Sequence, residues 1–418
     1  MKTLGSERHW PGATVVGMVT AMALAGHLGA QDCQIFQLTE GENYDFMPVT
    51  GISSSADGSR VVFRSTSDWS GLNPDHSWEL FLFDRRTGLS RITSNDPTWS
   101  PSSDLSEDGR TVVYSLNHDP LGTNPDGNFE LFLVDLDSMV TVALTDTIGV
   151  DHYDPKISAD GSLVAFRSND DPVGQNPDGS FEIFRLDIPS SSLSQITSVT
   201  GPVSLSELDL SADGSTIAFE SAWDFVTGGN PDGNTELFLH RQGLGFIQVT
   251  DTTDVSHGTS QRLTSDGTRV FFVDDADLVG SNPDGNGEMY RFDVVGGLTQ
   301  ITDTEEYSAA EVFSVSGDGS RIALDSQIDY LGPGPSGGVW GVYHYEVATG
   351  QISIAGERDL SAVPEISGMG NAVAFWSWSD LTGGNPGHEF QLFQAECYPL
   401  FADGFETGDT QAWGQSLP

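Results

Sequence analysis

Four segments of the chain set oxygen-bearing side chains two residues apart and follow them with a carboxylate. They are Asn124, Asp126, Asn128 and Glu130; Asn176, Asp178, Ser180 and Glu182; Asn230, Asp232, Asn234 and Glu236; and Asn282, Asp284, Asn286 and Glu288. Oxygen donors at i, i+2 and i+4 with a trailing carboxylate suit a hard cation such as Ca²⁺. The shared phrase Asn-Pro-Asp-Gly is equally a type I turn, with Asn opening it, Pro presetting the next φ and Gly ending it. EF-hand order is not met, because Gly falls fourth and no bidentate Glu stands at the twelfth place. A structural turn is therefore the first expectation and a calcium site the second.

Other chemical signatures are sparse. Gly334-Pro-Ser336-Gly-Gly338 matches Gly-x-Ser-x-Gly, but a nucleophile elbow needs a strand before it and a helix after it, and Pro and Gly surround this one. Ser-x-Asp-Gly lacks the residue between Asp and Gly that a sialidase Asp-box has, so it reads as a turn between strands. His76, His118, His152, His240, His257, His344 and His388 are scattered without metal-ligand spacing. Two cysteines cannot make a zinc site alone. Trp376 and Trp378, two apart on one strand face, suit stacking on a ligand but fit packing between sheets better. No catalytic residue is assigned.

Charge excludes whole classes of partner. With 17 basic and 61 acidic side chains the formal net charge is −44, which rules out a nucleic-acid platform and opposes docking on an anionic membrane. Hydrophobic residues at 37% supply a large core, so this is no disordered acidic tail. Lys2 and Arg8 precede the uncharged stretch from Ala13 to Ala25, which ends in small residues as a secretory signal peptide does. Residues 1–25 are the expected signal, with cleavage as late as residue 30 as the alternative, and no membrane span is expected in the mature chain.

The elements that must carry these residues come from an internal repeat. Ser55-Ala-Asp-Gly58, Ser106-Glu-Asp-Gly109, Ser158-Ala-Asp-Gly161, Ser211-Ala-Asp-Gly214, Ser265-Asp-Gly267 (read as one residue shorter), Ser316-Gly-Asp-Gly319 and Ser367-Gly-Met-Gly370 recur at near-constant spacing. After each comes a short apolar strand such as Val61-Val-Phe63, and then a loop opened by an Asp (Asp68, Asp119, Asp171, Asp224, Asp277, Asp329, Asp380). A second apolar strand such as Glu79-Leu-Phe-Leu-Phe83 follows, and four units end in Arg91-Ile-Thr93, Gln195-Ile-Thr197, Gln248-Val-Thr250 or Gln300-Ile-Thr302. Four strands per unit of about 52 residues predict an all-β, seven-bladed β-propeller over residues 34–397, with almost no helix and a short tail over 398–418.

The repeat phase also predicts how the ring closes. Ile35-Phe-Gln-Leu-Thr39 matches the Gln-Ile-Thr strand, and no such strand follows Gln391-Leu-Phe393. The N-terminal strand should therefore complete blade seven. In that register Cys397 takes the place of Arg85 and Cys33 that of Thr87, on either side of a hairpin turn in blade one. A Cys33–Cys397 disulfide is expected there, in an exported chain where such bridges persist.

Ser-Ala-Asp-Gly-Ser-x-Val-x-Phe, Glu-Leu-Phe-Leu-x-Asp and Gln-Ile-Thr together resemble the WD-like repeats of the TolB-type β-propeller superfamily, across essentially the whole mature chain. The resemblance implies the propeller fold and names no single activity. Related repeats cap prolyl-oligopeptidase-type hydrolase domains, but only about 20 residues follow the ring, too few for that domain. The ending Phe401-Ala-Asp-Gly-Phe-Glu-Thr-Gly-Asp-Thr-Gln-Ala-Trp413 is similar to one found on many exported bacterial proteins. The functional expectation is a secreted, periplasmic or cell-surface bacterial scaffold, monomeric, that binds a protein or small ligand at its rim or channel. The alternative is an enzyme acting on glycans, a hydrolase or lyase, at the channel mouth. The irregular loop Gly332–Gly338 and Trp340 mark the first place to look for a ligand.

Overall fold

The computed structural model describes residues 33–40, 49–94, 102–201, 205–253, 259–304, 312–326, 341–356 and 361–397. The expected signal segment, the C-terminal tail, His257, the 332–338 loop with its Gly-x-Ser-x-Gly match, and Trp340 lie outside these residues.

Seven four-stranded antiparallel sheets follow one another around a ring. Blade one comprises Val49–Ser54, Arg60–Ser65, Glu79–Asp84 and Gly88–Arg91, from the centre outward. The first strands of the other blades are Ser102–Leu105, His152–Ile157, Leu205–Leu210, Thr259–Leu263, Val312–Val315 and Ser361–Ile366. Second and third strands are apolar at consecutive positions because neighbouring blades cover both their faces. Val61, Val62, Phe63, Leu80 and Phe81 are all fully buried in this way. The described residues contain one helical element, the single 3-10 turn Trp69–Gly71.

Ser-x-Asp-Gly is the turn between the first two strands. Ser55 Oγ donates to Asp57 Oδ1 (2.9 Å), which also accepts from Ser59 N, and Gly58 takes φ +68°, where a side chain would be strained. The fifth copy corrects the sequence reading, since it is of full length. Thr264 stands in the serine position, its hydroxyl donating to Asp266 Oδ1 at 2.7 Å. A β-branched alcohol makes the same bond, so a search for serine alone misses the register.

Blade seven is built from both chain ends. Cys33–Gln37 pairs with Gln391–Cys397, Cys33 lying directly opposite Cys397, and the two form the expected disulfide with Cα atoms 4.2 Å apart. Thr39 Oγ1 accepts from Leu392 N (2.9 Å) and donates to Gln391 Oε1 (2.7 Å), extending the seam beyond the strand pair.

Trp376 and Trp378 pack on Phe390, with Trp376 in a cluster shared with Phe63, Trp69 and Phe81 of blade one. Their geometry is that of blade-to-blade packing.

Candidate functional site

The Asn-Pro-Asp-Gly loops join second to third strands, on the face opposite the Ser-x-Asp-Gly turns. Asn73, Asn124, Asn176, Asn230 and Asn282 each donate Nδ2 to the carbonyl four residues on, all at 2.8 Å. The Asp that opens the loop accepts from the backbone near its end, as Asp171 Oδ1 does from Asn176 N at 2.7 Å. The Glu side chains point outward along the blade. Glu130, Glu182, Glu236 and Glu288 accept from the backbone of Thr147, Val199, Thr252 and Thr304 at 2.5–2.7 Å, joining the third strand to the chain that follows the outermost one.

Each constellation is thus brought together, and protein donors occupy much of it. Asn128, Asn234 and Asn286 donate to the hydroxyls of Thr147, Thr252 and Thr304. In blade three Ser180 Oγ lies 3.0 Å from both Asn176 Oδ1 and Asp178 Oδ1, and 3.2 Å from Glu182 Oε1. Asp126 accepts from Gly149 N, while Asp232 and Asp284 sit in exposed turns. Among the described residues no three His, Cys, Asp or Glu side chains form a metal-holding group.

The residues that sequence reasoning missed lie at the centre. All seven first strands line a cavity of about 120 Å³ along the ring axis. At its Ser-x-Asp-Gly end, backbone hydrogen bonds of 2.7–3.0 Å run from blade to blade around the whole ring. Ala56 N donates to Glu107 O, Asp108 N to Ala159 O, Ala159 N to Ala212 O, Ala212 N to Ser265 O, Ser265 N to Gly317 O, Gly317 N to Gly368 O, and Met369 N back to Ala56 O. This closed circle leaves little space: a Cβ on Gly317 would sit 2.3 Å from Ser265 Oγ. Of the floor residues that line the cavity (Glu107, Ala159, Ala212, Ser265, Gly317 and Gly368), only Glu107 carries a long side chain, and Ser265 Oγ donates to its carboxylate from across the channel at 2.6 Å. The channel therefore has a floor.

Above the floor stands a ring of equivalent positions, each two residues before the turn Ser or Thr: Ser53, Asp104, Lys156, Asp209, Arg262, Ser314 and Glu365. In five blades the first strand has a register irregularity that ends on this residue, at Ser53, Lys156, Asp209, Arg262 and Glu365. Such bulges re-aim a side chain. Asp154, Ser260 and Val363, each two residues before a ring position, take φ of +50°, +65° and +56°, a strained conformation for a β-branched Val.

Electrostatics follow from this enclosure. Burial pushes the Asp104 carboxyl up, with Asp209 adding to the effect and Lys156 opposing it. Burial likewise raises Glu365 from 4.5 to about 7, against the pull of Arg262 and Lys156. A carboxyl easier to protonate in the fold than in the unfolded chain makes stability fall as pH rises from about 4.5 to about 7. Glu365→Gln should remove that fall and stabilise the protein at pH 8 by up to about 3 kcal/mol, at roughly 1.4 kcal/mol per pH unit. Chemical denaturation of both proteins at pH 5 and pH 8 checks this; a difference that does not change with pH contradicts it.

No family model matches the sequence, and no curated protein matches it. Solved structures are similar in fold. An oligogalacturonate lyase in complex with manganese superposes with a TM-score of 0.59 at 16% identity, covering 88% of this chain and 94% of the other. The oligogalacturonate lyase of Vibrio parahaemolyticus gives 0.58 at 14%, covering 87% and 93%. TolB from Acinetobacter baumannii gives 0.43 at 17%, covering 83% and 79%. The chain is thus a seven-bladed β-propeller, similar in fold to these two lyase structures.

Proposed function

We propose that the protein is an exported, non-catalytic propeller that binds a small polar ligand in its central channel. One observation carries this reading: the repeat holds at the turns and strands and breaks at the channel ring, where five of seven equivalent side chains are charged. Packing needs the same residue in every blade, whereas a single ligand on the axis needs different ones. Glu107, bonded by Ser265, closes the cavity at its Ser-x-Asp-Gly end, and polar groups lining such a recess fix a ligand's orientation. Export is supported by the Cys33–Cys397 bridge, a bond that persists in oxidising compartments.

A second reading, a lyase or hydrolase acting on glycans, is favoured by Glu365. A carboxyl that titrates near 7 beside cationic groups has the properties of a general base.

Thermal shifts with a panel of acidic, basic and neutral small compounds and uronate oligosaccharides test both. The binding reading expects stabilisation that a Lys156→Gln/Arg262→Gln/Glu365→Gln variant loses, with each compound recovered unchanged. Appearance of an unsaturated or shortened sugar supports the enzyme instead. Identical responses of wild type and variant contradict both.

A further inference from the structure

The seven ring positions divide into two kinds. Four side chains latch neighbouring blades together by accepting from the backbone of the next one. Leu105 N donates to Ser53 Oγ (3.0 Å), Ile157 N to Asp104 Oδ2 (2.9 Å), Leu263 N to Asp209 Oδ2 (2.6 Å) and Ile366 N to Ser314 Oγ (2.7 Å). The second oxygens of the two acids are engaged as well: Asp104 Oδ1 accepts from Ser53 Oγ (3.3 Å) and Asp209 Oδ1 from Leu210 N (3.0 Å). Lys156 and Arg262 cannot latch, because neither has an acceptor. Arg262 donates Nη1 to the Gln261 carbonyl and keeps its other N–H groups. Glu365, facing the same cavity as Arg262, makes no latch to blade one among the described residues.

With the channel taken as the ligand site, on which this assignment rests, we propose that Lys156, Arg262 and Glu365 form the subsite and that it takes the carboxylate of a small polar molecule. The two cations hold the carboxylate and Glu365 donates to it through its own proton. An amine is the weaker fit, since Asp104 and Asp209 already accept hydrogen bonds from the wall. The charged groups around Glu365 are Arg262, Lys156, Asp104 and Asp209, with Glu107 in the floor beneath. While Glu365 is neutral, the two cations offset the two aspartates, Glu107 in the floor is held by the Ser265 hydroxyl, and the ligand carboxylate sits on the cations. Ionised Glu365 would oppose it. Binding should therefore take up a proton, and affinity should weaken about tenfold between pH 6 and pH 8, the change in the protonated fraction of a group titrating near 7.

The test is calorimetry on the full protein with gluconate and with sorbitol, its neutral counterpart, at pH 6 and pH 8. Gluconate should bind with proton uptake and sorbitol should bind at least tenfold more weakly. Arg262→Gln and Lys156→Gln should each weaken gluconate at least tenfold while leaving the melting temperature close to wild type. Glu365→Gln should remove the pH dependence, and Ser314→Ala, a latch variant, should lower the melting temperature with affinity kept. Sorbitol binding as tightly as gluconate, with loss of both in Glu365→Gln, would overturn the carboxylate and leave the channel as a binding site. Gluconate binding unchanged in all three subsite variants, or no gluconate binding to wild type, overturns the proposal. The channel reading falls with it only if the wider panel also gives no channel-dependent shift.

Discussion

Replacing Cys33 and Cys397 together by alanine should lower unfolding free energy by about 6 kcal/mol, the chain-entropy value for so long a closed loop. The bridge spans 364 residues of sequence and joins the two strands that share blade seven. Without it the N-terminal strand stays on blade seven through its ladder, through Leu38 N donating to Leu392 O, and through the Thr39 hydroxyl. Those bonds are local to one edge strand and open first when that edge frays. Urea unfolding with and without a reductant should show the same loss in wild type and none in the double variant. Equal midpoints in wild type under both conditions would mean that the disulfide adds nothing to ring closure.

Removing one of the repeated glutamates should have the next largest effect. Glu182 is 1% exposed and accepts from Val199 N, Ser180 Oγ and Thr197 Oγ1. Alanine there leaves these buried donors without that acceptor and opens a cavity, a loss of about 3 kcal/mol. Burial raises the Glu182 carboxyl above its ordinary range in spite of those bonds, so a neutral amide is a tolerable substitute. Glu182→Gln should cost only about 1 kcal/mol, and less at pH 8 than at pH 5, because the buried charge destabilises wild type as pH rises. Equal losses for alanine and glutamine would show that packing, not the acceptor, accounts for the role of Glu182.

Much of the fold was readable because a propeller repeats its packing. Turn, apolar strand, loop and Gln-Ile-Thr strand recur because each blade must fit the same neighbours, so seven copies expose the unit and its phase. That phase was enough to place Cys33 opposite Cys397 across some 360 residues of sequence. Reading by repetition has a blind side. It draws attention to Asn124, Glu130 and their equivalents, which bond their own loops and the chain after the outermost strand. The channel residues are those on which the copies disagree, and the signal for them is the column two places before each turn, from Ser53 to Glu365. Two features lie beyond any such alignment. The strand irregularities that end on Lys156, Arg262 and Glu365 arise from backbone geometry, and Glu107 meets Ser265 only because blades two and five face each other across the axis.

The central claim is that an enclosed channel surrounds a ring of unrepeated charges, and Glu365 reports on that enclosure directly. Carbon-13 NMR of side-chain carboxyls, with the Glu365 signal assigned by its disappearance in Glu365→Gln, gives its titration midpoint in the folded protein. Enclosure above the Glu107 floor predicts a midpoint at about 7. A midpoint near the ordinary 4.5 would mean that water reaches this carboxyl freely, and would contradict the channel as a closed binding pocket.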